Sequence, residues 1–65
     1  MQAGDYIETP RFLTVKIKAV YPSETSAVSN GYTEPTHYVN NEYGILGKSA
    51  GTNMMIFAAF KRKAV

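Results

Sequence analysis

Apolar and polar residues alternate along Phe12–Tyr21, which reads FLTVKIKAVY. The alternating apolar positions are Leu13, Val15, Ile17, Ala19 and Tyr21. A period of two places successive side chains on opposite faces of an extended chain. The segment is therefore predicted to be a β-strand that buries these apolar side chains on one face and exposes its lysines on the other.

A shorter strand is predicted ahead of it, over Asp5–Thr9. The sequence DYIET carries β-forming residues and follows Gly4, a residue typical of turns. Pro10 ends the segment because proline cannot donate a hydrogen bond to a strand ladder.

A short helix is predicted over Glu24–Ser29. Ser23 is a good N-terminal cap, and the negative charge of Glu24 suits the first helical turn. The pair Asn30-Gly31 marks the end of the helix, because glycine readily adopts the left-handed conformation found there. The residues between are moderate helix formers, so the helix depends on contacts with the rest of the fold.

Three further strands are predicted in the second half of the chain. Thr36–Val39 and Glu42–Lys48 would pair through a two-residue turn at Asn40-Asn41, since asparagine tolerates a positive φ. Ser49–Asn53, with its glycine and asparagine, predicts the turn before the last segment.

The last segment, Met54–Arg62, reads MMIFAAFKR. Its continuous apolar run predicts a strand buried on both faces, in the centre of a sheet or inside a small barrel. A short buried helix is the alternative, since methionine and alanine are good helix formers. The flanking Gly51 and Asn53 favour the strand.

The predicted order is β-β-α-β-β-β in a single small domain over residues 1–65. Connections of hairpin length favour antiparallel pairing. The sequence thus predicts a mainly β fold, a small antiparallel five-stranded curved sheet or barrel with one short helix. An α+β layer is the alternative. The opening GDYIETPRF, followed by a long alternating strand, resembles the start of SH3-like small barrels, and this resemblance implies an SH3-like, partly closed barrel.

Composition excludes several classes of function. The chain has no cysteine and one histidine, so it offers no disulfide, no thiolate metal site and no zinc site of the usual kind. The pattern predicts no cofactor. The longest apolar run, Met54–Phe60, is far shorter than the ~20 residues that cross a membrane, and the N-terminus lacks the features of a signal peptide. A soluble, cytoplasmic protein is expected.

Two features invite an enzymatic interpretation. Gly47-Lys48-Ser49 looks like part of a phosphate-binding loop, but that motif needs a glycine five residues before its Gly-Lys pair, where this chain has Glu42. His37 could act as a general base, yet no nucleophile and carboxylate accompany it at a spacing that indicates catalysis. We therefore expect no enzymatic activity.

Basic residues suggest a binding surface. The chain carries seven basic and five acidic residues and a net charge of +2. If the last strand lies near the second, one positive face could bind nucleic acid or an acidic protein. The residues of that face would be Arg11, Lys16, Lys18, Lys61, Arg62 and Lys63. An ordinary solvated face with a basic tail is the alternative.

Tyrosine is abundant, with five in 65 residues. Tyrosine is favoured at protein interfaces because an apolar ring ends in a polar hydroxyl. Tyr32, Tyr38 and Tyr43 are the candidates for a protein-binding face, and the rim of a small core is their alternative role.

The stretches GDYIETPRF, GYTEPTHY and GKSAGTNMMIFAAFK resemble short uncharacterised proteins of bacterial mobile elements such as conjugative transposons. This resemblance implies a bacterial cytoplasm and an accessory role, and it assigns no functional residue. Taken with the patterns above, it predicts a non-enzymatic binding module that acts through a protein partner or by self-association. A nucleic-acid-binding small β-barrel is the alternative.

Overall fold

A computed structural model describes residues 1–9, 13–34 and 36–62. Within these residues the chain forms five strands and one helix, in the order β-β-α-β-β-β that the sequence predicts. The elements are β1 (Tyr6–Thr9), β2 (Leu13–Tyr21), α1 (Glu24–Ser29), β3 (His37–Tyr38), β4 (Tyr43–Gly51) and β5 (Met54–Lys61). The mainly β fold class is confirmed. The predicted first residue of β2, Phe12, lies outside the described residues.

The helix has the predicted bounds because its caps are local. The Ser23 hydroxyl accepts a hydrogen bond from the amide of Ser26 at 3.1 Å. At the other end, the Asn30 amide donates to the carbonyl of Ala27 at 3.0 Å, and Gly31 has a φ of 94°. Both ends are therefore fixed by residues within one turn of the helix.

The sheet is mixed, with strand order β1-β2-β5-β4-β3. The pairs β1–β2, β4–β5 and β3–β4 are antiparallel, but β2 and β5 run parallel. The expectation of a fully antiparallel sheet is thus wrong for this pair. Parallel neighbours need a long crossover connection, and here α1, β3 and β4 provide it between the ends of β2 and β5.

Strand β5 lies in the centre of the sheet, as its continuous apolar run predicts. Ala58, Ala59 and Phe60 are successive residues and all are buried. Burial of neighbouring positions requires cover on both faces of the strand.

Two apolar clusters provide that cover. The outer cluster, between the sheet and α1, consists of Ala27, Tyr32, Leu46, Ala58 and Phe60. The inner cluster, on the opposite face of the sheet, consists of Val15, Ile17, Ile45 and Ala59. The sheet curls into a half-barrel. Because of this curl, residues from the two ends of the strand order lie close together. Met1 and Ile7, from the β1 end, line the same shallow depression as Asn40 and Tyr43, from the β3–β4 end.

A change of register in β2 alters which side chains are buried together. Ile17 lies opposite Phe57, whereas Ala19 lies opposite Ala58, so Lys18 is one extra residue on β2. A bulge of this kind reverses the faces of the residues that follow. Val15 and Ile17 belong to the inner cluster, while Ala19 and Tyr21 pack on the outer one. The prediction of one continuous buried face is therefore wrong, and Leu13 is also 80% exposed.

The two turns of the second half differ from their predicted forms. Between β3 and β4 the side-chain oxygen of Asn40 accepts hydrogen bonds from the amides of Glu42 (2.7 Å) and Tyr43 (2.8 Å), which closes a turn longer than two residues. Strand β4 continues to Gly51, so the turn before β5 is only Thr52-Asn53, where Asn53 has a φ of 59°.

Candidate binding cleft

Strands β2 and β5 are paired over only part of their length. Their register runs from Ile17 opposite Phe57 to Tyr21 opposite Phe60. Before that point β2 pairs with β1, and Met54–Ile56 of β5 pairs with β4. The two strands therefore separate toward their N-terminal ends.

This separation leaves a cleft of about 730 Å³, which we call the open cleft. The described residues that line it are Gly4, Thr14, Val15, Lys16, Ile17, Lys18, Met55, Ile56 and Phe57. Most of the lining is apolar, and its charged residues are both lysines. A largely apolar cavity with a few polar groups is typical of binding sites.

Apolar side chains are exposed at the same end of the sheet. Met54 is 58% and Met55 39% exposed, and Leu13 precedes the lining residue Thr14. Large apolar side chains grouped on one part of a small protein often mark an interaction site.

The backbone of Leu13 is strained. Its φ of 59° lies in the left-handed region, which costs an ordinary L-residue roughly 1–2 kcal/mol. Leucine is an unusual residue there, because glycine and asparagine adopt this conformation more readily. The exposed leucine side chain thus gains no burial that would offset the strain.

The structure does not bring the predicted basic residues to one face. Lys16 and Lys18 line the open cleft, whereas Lys61 and Arg62 follow Phe60, the last residue of β5 that pairs with β2. Lys61 is four residue steps along the strand from Phe57, which is about 13 Å. The two pairs of cations thus lie at opposite ends of the β2–β5 pair. Arg11 and Lys63 lie outside the described residues.

Arg62 has a structural role. Its guanidinium lies 3.8 Å from the centre of the Tyr38 ring and donates to the carbonyl of Asn40 at 2.6 Å. Its amide donates to the carbonyl of Glu42 at 2.8 Å. These contacts hold the β3–β4 turn against the end of β5, so the guanidinium is already engaged.

The three candidate tyrosines lie in different environments. Tyr32 is 3% exposed and belongs to the outer cluster, so its prediction as a binding residue is wrong. Burial raises the pKa of the Tyr32 phenol, and the nearby Tyr21 adds to this effect. Tyr43 is half-buried against the inner cluster, with the Lys61 ammonium 5.8 Å from its ring centre. Tyr38 alone of the three is largely exposed, at 53%.

Gly47-Lys48-Ser49 lies inside β4 and not at the junction of a strand and a helix. The Lys48 ammonium donates to the carbonyl of Asn30 at 3.2 Å and lies 5.0 Å from the centre of the Tyr32 ring. A cation at this position stabilises the C-terminal end of α1, where carbonyl groups carry partial negative charge. The motif thus joins the helix to the sheet.

His37 lies on the short edge strand β3, opposite Ile45 of β4. Over the described ranges, no group of three or more histidine, aspartate or glutamate side chains is placed to hold a metal ion. No helix among the described residues is long and apolar enough to span a membrane.

The residues that define the open cleft were only partly indicated by the sequence. The alternation in β2 assigned Leu13 to the core, and the apolar run of β5 gave no sign that Met54 and Met55 would be exposed. The alternation also carries no signal for the positive φ of Leu13. No protein-family model, curated protein or solved structure matches this chain.

Proposed function

We propose that the chain is a small non-enzymatic binding module that acts through a protein partner or by self-association, and that the open cleft is its binding surface. The setting we propose is the cytoplasm of a bacterium, in an accessory role connected with a mobile element. The resemblance of the sequence to proteins of such elements supports this setting.

The observation that carries the proposal is the exposure of Leu13, Met54 and Met55 around a cleft of about 730 Å³. A domain this small needs its large apolar side chains for the core, because it buries only about 60% of its unfolded surface. Apolar side chains left at the surface beside a cleft favour a role in contact with another molecule.

Nucleic-acid binding is the second candidate. The ring of Tyr6 is 69% exposed and the Lys16 ammonium lies 5.8 Å from its centre. An exposed aromatic ring beside a cation is the arrangement that stacks and neutralises single-stranded nucleic acid. The separation of Lys16 and Lys18 from Lys61 and Arg62 weakens this candidate, because a strand of nucleic acid is bound by a continuous basic path.

Site-specific photo-crosslinking tests the first candidate. A benzophenone amino acid replaces Leu13 in one variant and Val28 in the control, since Val28 is 44% exposed but lies on α1. We expect discrete protein adducts from position 13 in bacterial cells and few from position 28. Sedimentation of the purified chain then shows whether the partner is a second copy.

Equal labelling at the two positions would contradict the proposal, and so would an absence of adducts at position 13. The nucleic-acid candidate predicts a different result. Single-stranded oligonucleotides would bind at low salt and lose affinity steeply as the salt concentration rises.

A further inference from the structure

We propose that the open cleft binds an extended peptide segment carrying carboxylates, which adds to the free side of β5 as a further strand. This inference rests on the proposed function and names the chemistry of its partner. It is supported by the backbone of β5, by the side chains of the cleft and by the positive charge of the two lysines in the cleft lining.

Within residues 1–9, 13–34 and 36–62, the backbone of Met54–Ile56 has a strand neighbour on one side only. Gly51, Ser49 and Lys48 of β4 lie opposite these residues, and the register with β2 begins only at Phe57. Backbone amides and carbonyls of a strand point alternately to its two sides. The groups of this segment that point away from β4 therefore have no strand partner in the described part of the chain. Extended peptides bind such edges by completing the ladder.

The side chains of the cleft suit an extended partner. Met55 is exposed and Ile56 and Phe57 are half-buried, so these three side chains provide apolar surface in the lining of the cleft. An extended peptide presents its side chains alternately to two sides, so every second residue can contact this surface. The peptide gains affinity from backbone hydrogen bonds and selectivity from the alternate side chains.

The charge of the cleft determines which peptide is preferred. Lys16 and Lys18 are the charged residues among those described in its lining. Carboxylates on the peptide would neutralise both, whereas a basic peptide would be repelled. A second copy of the chain is a poorer occupant, because symmetric pairing through this cleft would bring the same lysines of both copies together.

Four capped heptapeptides provide the test. The first alternates valine and glutamate, and the second alternates valine and lysine. The third and fourth repeat the glutamate peptide with N-methyl groups on alternate amides, one in each register. N-methylation removes backbone donors and leaves the side chains in place. Each is titrated into the full chain and followed by the amide NMR spectrum.

We expect the glutamate peptide to shift the amides of Thr14–Lys18 and Met54–Ile56. The lysine peptide and at least one N-methylated register should bind at least tenfold more weakly. The double substitution Lys16→Glu and Lys18→Glu should reverse the preference between glutamate and lysine peptides. Lys61→Glu, at the opposite end of the β2–β5 pair, should leave that preference unchanged.

Four results would overturn the inference. Full affinity in both N-methylated registers would exclude strand addition, and equal affinity for the lysine peptide would exclude the role of charge. Tighter binding of single-stranded DNA at the cleft would identify a different class of ligand. If no peptide moves the cleft amides while crosslinking at position 13 succeeds, this inference fails and the proposed function stands.

Discussion

The two halves of β5 both consist of apolar residues, but their environments differ. The closed half, Phe57–Phe60, lies between β2 and β4 and contains three residues that are 0–1% exposed. The open half, Met54–Ile56, has β4 as its one strand neighbour among the described residues, and its two methionines are 58% and 39% exposed. The composition of this apolar run does not determine the difference.

The number of neighbouring strands determines it. A segment flanked on both sides and covered on both faces is excluded from water, whereas one flanked on a single side keeps an accessible edge. Methionine suits the open half, because its flexible and polarisable side chain adapts to different partners. The closed half is therefore expected to hold the fold together, and the open half to bind.

Truncating one large side chain in each half should show the largest difference in the free energy of unfolding. Phe60→Ala removes a ring that is 1% exposed in the outer cluster, and we expect a loss of about 3–5 kcal/mol in the free energy of unfolding. Met54→Ala removes a side chain that is mostly in water, so the loss should be below about 0.5 kcal/mol. Urea denaturation followed by circular dichroism measures both.

Similar losses for the two variants would show that the open half contributes to the core. Amide hydrogen exchange provides an independent check on the same comparison. The amides of Ala58 and Ala59 should exchange slowly in the native chain, and that of Met55 should exchange much faster.

The parts of the fold that the sequence predicted are those set by local interactions. The bounds of α1 follow from Ser23 at one end and Asn30 with Gly31 at the other, and all of these act within a turn of the helix. The apolar run of β5 likewise predicted a central strand, because a strand that is buried on both faces needs apolar residues at successive positions.

The parts that the sequence did not predict depend on distant contacts. Parallel pairing of β2 with β5 is decided by the path of some thirty intervening residues, and period-two alternation is the same in parallel and antiparallel strands. The bulge at Lys18 is one extra residue, which alternation alone cannot reveal. The open cleft lies where the parallel pairing of β2 with β5 begins, next to the bulge at Lys18. Its residues could therefore not be assigned from the alternation of apolar and polar positions.

Two glycines of β4 sharpen the comparison, because a methyl group added at each would first meet a side chain of a different half of β5. A methyl group added at Gly44 would overlap the ring of Phe60, whereas at Gly47 it would meet first the flexible end of Met55. We expect Gly44→Ala to lower the free energy of unfolding by about 1–3 kcal/mol. Gly47→Ala should cost less than half as much, because Met55 can move into the open cleft.

Thermal or urea denaturation measures these costs, and a double variant tests their origin. In Gly44→Ala with Phe60→Leu, the smaller side chain leaves room for the methyl group. The combined loss should then be less than the sum of the two single losses. Simple additivity would mean that Gly44 is needed for a reason other than the Phe60 ring.

The outer cluster, which contains Ala58 and Phe60 of the closed half, should also give the fold a specific sensitivity to alkaline pH through Tyr32. Because burial raises the pKa of this phenol, the folded chain holds the proton more tightly than the unfolded chain. The associated stability is constant below the usual tyrosine pKa of about 10 and is lost as the pH rises above it. At pH 11 the decrease in the free energy of unfolding that Tyr32 causes cannot exceed about 1.4 kcal/mol.

Tyr32→Phe should remove that part of the pH dependence, whereas Tyr38→Phe, at an exposed position, should retain it. The comparison uses the free energies of unfolding of the three proteins at pH 9 and pH 11, since other groups titrate equally in each. An identical loss in wild type and Tyr32→Phe would show that the phenol is not protected by the fold.

The smallest expected effect concerns Leu13 beside the open cleft. Leu13→Asn should stabilise the chain by about 0.5–1 kcal/mol, because asparagine tolerates the φ of 59° better than leucine and little buried surface is lost. The same change should weaken binding of the glutamate peptide if the leucine side chain contacts the ligand. A gain in stability together with a loss of binding would show that the strained leucine is retained for binding, a cost that function imposes on stability. Destabilisation by Leu13→Asn would instead assign the side chain to the core and remove it from the open cleft.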